Sequence, residues 1–234
     1  MKILIPSYNR AGNVSTYHKI DDSIIVVPES QYKDYVKHYD KSRLFVIPDK
    51  LDGNVARKRN AILDNYPDKE IFMIDDDLIN VKEIKTGRKL NSIEFTRLIE
   101  SGFDIINGLG LHFFGFNWSN QPLHNNPEIP FSFTKRFYAG VGIVKNELRY
   151  DESLTRLEDT DYWLQQTRKD KATFRFNNYH VQCKIYSSSK NQKGGITVKS
   201  EKDYENTLIK KWGGKVLKYS KKKELLASSP YKGI

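Results

Sequence analysis

One cysteine, Cys183, stands in a chain of 234 residues. A lone cysteine excludes an internal disulfide and a cysteine-built zinc site. Its Val-Gln-Cys-Lys-Ile surroundings read as a strand that buries a structural thiol rather than presenting a nucleophile. Long apolar runs are missing as well: none approaches the roughly 20 residues a membrane helix needs. The opening Met1-Lys2-Ile3-Leu4-Ile5-Pro6 breaks at Pro6 without forming a signal-peptide core. These absences predict a cytoplasmic protein with no membrane insertion. There is no internal repeat and no obvious linker. A content of 38% hydrophobic and 12% aromatic residues excludes a disordered tail.

Charge is abundant but uneven. Residues 1–167 hold 22 basic and 24 acidic side chains, whereas residues 168–234 hold 17 and 5. The whole net charge of +10 therefore lies in the last third. Such a block meets a polyanion or is simply a solvated lysine-rich surface, and charge alone leaves both open.

The first half alternates strand and helix. Lys2–Ile5, Ser23–Val27, Leu44–Ile47 and Ile71–Ile74 are short Ile/Val-rich runs without polar alternation, as expected of a parallel sheet buried on both faces. Helical patterns at Gln31–Tyr39 and Asn54–Asn65 separate them. The pattern predicts a doubly wound α/β layer, in which ligands sit at the carboxyl ends of the strands. In the second half, Asn91–Ile106 reads as a helix with Ser92 as a possible cap. Asp159–Arg168 and Glu201–Trp212 read as further helices, Thr173–Tyr186 as paired strands, and Ser220–Ile234 as a loose basic tail.

Three clusters carry chemistry. Ile71-Phe72-Met73-Ile74 delivers Asp75-Asp76-Asp77 to a strand end. Hard cations such as Mg²⁺ or Mn²⁺ take oxygen ligands, few of them from protein when phosphates supply the rest. In an extended chain Asp75 and Asp77 share one side and Asp76 takes the other. Gly53-Asn54-Val55-Ala56-Arg57-Lys58-Arg59-Asn60 opens a helix with three cations in its first turns, a ready anion site. Arg57 and Asn60 share a face, which leaves Lys58 and Arg59 as ordinary surface charges. Glu158-Asp159-Thr160-Asp161 starts a helix, where Asp159 and Asp161 read equally as caps or as a general base.

In order and spacing these residues resemble a GT-A glycosyltransferase, the nucleotide-sugar-dependent type with one Rossmann-like domain. The resemblance covers residues 1 to about 165. Within that group the Pro-Ser-Tyr-Asn-Arg opening, the Val-Val-Pro-Glu segment and the Gly-Asn-Val-Ala-Arg-Lys-Arg-Asn helix look most like the TET-associated and phage-type DNA glycosyltransferases, which act on hydroxymethylated pyrimidines. The resemblance implies a mostly parallel central sheet flanked by helices. It places a glycosyltransferase domain at 1–198, with a nucleotide-binding half at 1–90 and an acceptor half at 91–198, and packs a basic helix and tail at 199–234 on the same domain. Pro6, Ser7, Tyr8 and Arg10 would form the nucleotide loop, and Glu29 and Asp49 would meet ribose or base. Arg57 and Asn60 would lie under the diphosphate, aided by Lys190 or Lys193. Asp75 and Asp77, flanked by Asp76, would be the Asp-x-Asp metal site, with His180 as a possible late ligand. Tyr138-Ala139-Gly140-Val141-Gly142 would underlie the sugar. Asp159 or Asp161 would deprotonate the acceptor, giving inversion; a retaining enzyme would need no such base.

The implied donor is a UDP-sugar with Mn²⁺ or Mg²⁺, and the implied acceptor is DNA, with the enzyme a monomer or weak dimer in the cytoplasm of a phage-infected host. Lys210, Lys211, Lys215, Lys218 and Lys221–Lys223 could meet phosphates. Phe113, Phe114, Phe116 and Trp118 offer either a stacking surface for an extruded base or core packing. A polysaccharide or lipid-linked glycan as acceptor, a nucleotidyltransferase, and a non-catalytic nucleic-acid module remain the alternatives.

Overall fold

The computed structural model describes the chain except residues 67–69, 120–127, 145–146, 155, 185–200, 221–224 and 232–234, and gives residues 201–202 as backbone only. Lys190, Lys193 and Lys221–Lys223 lie outside the described residues.

Strands β1 (Lys2–Pro6), β2 (Ser23–Pro28), β3 (Leu44–Ile47) and β4 (Ile71–Ile74) pair in parallel in the order β3-β2-β1-β4. The sheet continues through β8 (Gly140–Ile143), β6 (Phe113–Asn117), β9 (Phe174–Cys183) and β5 (Leu78–Glu83), with β7 (Phe131–Ser132) beside β9. This second half is mixed: β8 runs antiparallel to both β4 and β6, β9 is parallel to β6, and β5 is antiparallel to β9. The expected mostly parallel sheet is thus parallel across its first four strands and mixed beyond them.

Strand alternation splits the core between two faces. Ile3, Ile5, Phe72, Ile74, Phe114 and Phe116 pack on one side with Phe95, Ile99 and Phe103 of helix α3 (Ser92–Leu109). Leu4, Ile71, Met73 and Phe113 pack on the other with Ala56 and Ile62 of α2 (Val55–Asn65), and with Trp163 of α4 (Glu158–Asp170). Leu208 of α5 (Glu201–Trp212) and Leu217 of β10 (Leu217–Tyr219) join that second side, so the basic C-terminal segment is anchored on the same core. The tail is less loose than its composition predicts, because β10 forms a hairpin with β11 (Leu225–Ala227).

Helix boundaries follow local chemistry. Asn54 caps α2 by accepting the Arg57 N–H. Asn91, not Ser92, caps α3, in a capping box with Glu94. Ser92 instead accepts the Asp21 N–H through its hydroxyl. The predicted 31–39 helix reduces to one turn, α1 (Tyr32–Tyr35), within a run of turns. The predicted strand pair at 173–186 is one long strand, β9, whose partners come from distant parts of the chain. Among the described residues no helix is long and apolar enough to cross a membrane.

Candidate active site

At the carboxyl edge of β4 the chain turns and crosses to β5 at the far side of the sheet. Asp76 and Asp77 form that turn, so the alternation expected of an extended triplet does not apply. Each carboxylate has its own surroundings. Asp75 donates its backbone N–H to Ala139 O (3.0 Å) and accepts Thr16 Oγ1 at its own carbonyl (2.6 Å). Its side chain meets Arg59 Nη2 at 3.2 Å yet keeps 41% of its surface open. The carboxylate thus sits in a concavity, crowded by protein but reachable. Burial, reinforced by Asp77, Asp76 and Asp159 and opposed by Arg59, raises its pKa to about 6. Asp76 accepts Ser7 Oγ at 2.7 Å and lies 3.8 Å from Arg10, which ties it to the β1 loop. Asp77 is 7% exposed beside Cys183. Among the described residues no three acidic, histidine or cysteine side chains converge as a complete metal cage.

The β1 loop is rigidly held. Ser7 Oγ is shared between Asp76 and the Tyr35 hydroxyl (2.8 Å), and the Arg10 N–H donates to that same hydroxyl (3.0 Å). Pro6 closes β1 opposite Val26, and Tyr8 is exposed above the loop. Glu29 and Asp49 lie exposed just past β2 and β3, where Asp49 accepts the Ser30 N–H and hydroxyl. These groups therefore line one edge of the sheet.

Lys58 and Arg59 are not surface charges; both are buried at the centre of the site. Lys58 pairs with Asp52 at 3.3 Å, donates to Ser7 O, and lies 5.5 Å from the Tyr8 ring centroid. Arg59 bridges Asp75 and Glu158 (2.9 Å) and lies 5.3 Å over the Tyr150 ring. Burial raises the Glu158 pKa against the pull of Arg59. Arg57 and Asn60, by contrast, face a structural partner. Arg57 is half-exposed and pairs with Glu152 at 3.2 Å, while Asn60 clamps the Tyr150 backbone through both its amide groups. Neither points at the acidic turn through any of these bonds.

A sequence profile described as TET-Associated Glycosyltransferase matches residues 1–195. The chain belongs to the TET-associated glycosyltransferase family. Two curated proteins named beta-glucosyl-HMC-alpha-glucosyl-transferase are similar over 81 residues: that of Enterobacteria phage T6 is 38% identical and that of phage T2 37%. Each match covers 33% of this chain and 29% of the relative, so the chain spans under a third of the relatives it matches. Among solved structures, glucosyl-3-phosphoglycerate synthase from Mycobacterium tuberculosis, crystallised with Mg²⁺ and uridine diphosphate, overlaps 62% of this chain and 56% of its own. Its TM-score is 0.37 at 12% identity, too loose an overlap for anything to be drawn from it.

The acidic start of α4 divides between two environments. Asp159 and Asp161 are two residues apart on α4 and so face different ways. Asp159 lines a small pocket with Arg59, Tyr138, Ala139 and Tyr150. Asp161 is 0% exposed beneath α5, accepting Trp212 Nε1 (2.7 Å) and pairing with Lys211 (2.9 Å). From there it holds the C-terminal segment and does not open onto the pocket that Asp159 lines. His180 lies on β9, three residues before Cys183. It sits opposite Lys82 and Asn117, and its ring bonds the Trp118 backbone. Burial lowers its pKa.

Sequence reasoning missed Thr16, Asp52, Lys58 and Arg59. For the two cations the signal was available: they alternate with Ala56, Ala61 and Ile62 on a helix whose apolar face must pack on the sheet. Thr16 could not be found this way, since its hydroxyl both donates to Asp75 O and accepts the Leu78 N–H across more than 58 residues of chain.

Proposed function

We propose that this chain is a cation-dependent glycosyltransferase that moves a sugar from a nucleoside diphosphate sugar, a UDP-sugar, to the hydroxyl of a hydroxymethylated pyrimidine in DNA. The setting would be the cytoplasm of a phage-infected host. The observation that carries this reading is Asp75: an open carboxylate at the sheet edge, among more acidic groups than Arg59, Arg10 and Lys58 neutralise. That surplus suits a divalent ion coordinated chiefly by phosphate and water, with Asp75 as the protein ligand and Asp77 behind it. Such an ion, when bound, neutralises the departing diphosphate. The β1 loop with Glu29 and Asp49 would hold the nucleoside. Lys58 and Arg59 would hold the acidic turn in register rather than contact the donor freely. Asp159 would accept the proton of the attacking hydroxyl.

A second reading of the stereochemistry is favoured by the names of the phage relatives, which specify an alpha-glucosyl product. From an α-configured donor that outcome is retention, and Asp159 would then orient the acceptor without deprotonating it.

The test is incubation of the protein with hydroxymethylated, glucosylated and unmodified DNA, a panel of nucleotide sugars, and Mn²⁺, Mg²⁺ or chelator, followed by nucleoside mass spectrometry. One added sugar on modified DNA only, lost with chelator, is expected. Transfer to a glycan lipid instead, release of pyrophosphate in place of a nucleoside diphosphate, or full activity in chelator would contradict the proposal.

A further inference from the structure

Phe113, Phe114 and Phe116 are fully packed in the core, whereas Trp118, at the end of the same aromatic stretch, keeps 38% of its surface exposed. An indole at the surface is ordinarily a loosely held side chain, but here its backbone is fixed on both sides. Asn117 is buried, donates through Nδ2 to Asn177 O (3.1 Å) and accepts the Ser119 N–H (3.3 Å). The buried His180 ring bonds the Trp118 backbone. The indole stacks on Tyr138, with ring centroids 5.6 Å apart and planes at 25°.

The strand register places this pair beside the acidic turn. Gly115 stands opposite Val141, so Trp118 continues to a position across from Tyr138. Ile74 stands opposite Gly140, and Asp75 bonds Ala139, so Tyr138 lies one residue past the Asp75 row. Two strand spacings of roughly 4.8 Å put Trp118 about 10 Å across from the acidic turn. Ala139, between Tyr138 and the strand, is held at φ +71°, a left-handed conformation costly for a non-glycine residue and one that clusters at functional sites. The Arg136 guanidinium lies 5.4 Å over the Tyr138 ring and donates to Thr160 Oγ1 (2.8 Å). Thr160 in turn donates its N–H to Asp159 Oδ1 (2.6 Å). Platform and candidate base are therefore linked through one chain of contacts.

We propose that Trp118, backed by Tyr138, is the stacking platform for the acceptor pyrimidine, aiming its hydroxymethyl arm at Asp159. The inference rests on the reading of DNA as acceptor. A base taken out of its stack must recover that contact elsewhere, and an aromatic face provides it whatever the neighbouring sequence. His180 and Asn117 are positioning residues for the platform.

The test is a fluorescence-anisotropy titration of a single-stranded oligonucleotide carrying one 5-hydroxymethylcytosine. It compares the wild-type chain with Trp118→Ala, Trp118→Phe and Leu109→Ala, the last a more exposed apolar side chain at the C-terminal end of α3. Loss of one stacked base corresponds to about a tenfold or greater rise in Kd for Trp118→Ala. Trp118→Phe should stay within about threefold of wild type and Leu109→Ala should match it. In transfer assays Trp118→Ala should raise KM for the oligonucleotide and leave KM for the nucleotide sugar in place. Wild-type affinity in Trp118→Ala, equal losses in the Phe and Ala variants, or no oligonucleotide binding by the wild-type chain would overturn the platform. Sugar transfer to DNA with Trp118→Ala unimpaired would remove the platform alone. Trp118-dependent binding without any sugar transfer would leave the platform standing and remove the proposed reaction.

Discussion

Asp159 and Asp161 show how much two residues of helical phase decide. The first opens onto a pocket beside Arg59; the second is sealed against Trp212 and Lys211. Asp159→Asn should lower kcat by about a hundredfold or more while leaving donor affinity within twofold, as loss of a general base does. Asp161→Ala should act on the fold instead. It leaves the Trp212 N–H and Lys211 without their buried partner, at a cost of about 3 kcal/mol, discounted somewhat because Lys211 is part-exposed. Steady-state kinetics beside thermal unfolding separates the two, and a catalytic loss in Asp161→Ala at unchanged stability would contradict the assignment. The same scale explains what the sequence concealed. Asp75-Asp76-Asp77 is conspicuous as a motif, but which carboxylate stays open depends on Ser7, Arg10 and Cys183, none of them close in the chain.

Elements were legible where a local pattern determines them. The four parallel strands appear as apolar runs because both faces are covered, and α2 appears because its cap and periodicity agree with its packing. Partnering was not legible: the aromatic-rich residues of β9 say strand but not that β6, β7 and β5 all pair with it. The glycines of β8 have a reason visible only in three dimensions. Phe114 of β6 packs between Gly142 and Gly102: a Cβ at Gly142 would lie 1.9 Å from its ring and one at Gly102 2.3 Å. The small-residue segment expected beneath a sugar is thus, at Gly142, also a seat for a core aromatic. Gly142→Ala should destabilise the protein by about 1–3 kcal/mol through overpacking, measurable as a lowered denaturation midpoint. An unchanged midpoint would show that Phe114 has room to move.

At the scale of the whole molecule, one sheet presents two clusters of side chains side by side. Its parallel half ends in the β1 loop, Glu29 and Asp49; its mixed half ends in Trp118, Tyr138 and the start of α4. The acidic turn lies at their junction, and the basic C-terminal segment is anchored over α4 through Asp161. The central claim is that Asp75 supports a cation that binds the donor diphosphate. Because burial raises its pKa to about 6, the charged form is disfavoured in the folded protein. The fold loses stability as pH rises from the ordinary carboxylate value through that range. Asp75→Asn should therefore remain folded at pH 7, with Arg59 still paired to Glu158. Calorimetric titration of UDP into wild type and Asp75→Asn, with and without Mn²⁺, is the most direct measurement. The account predicts Mn²⁺-strengthened binding in the wild-type chain and no Mn²⁺ effect in the variant; equal Mn²⁺ dependence in both proteins would contradict it.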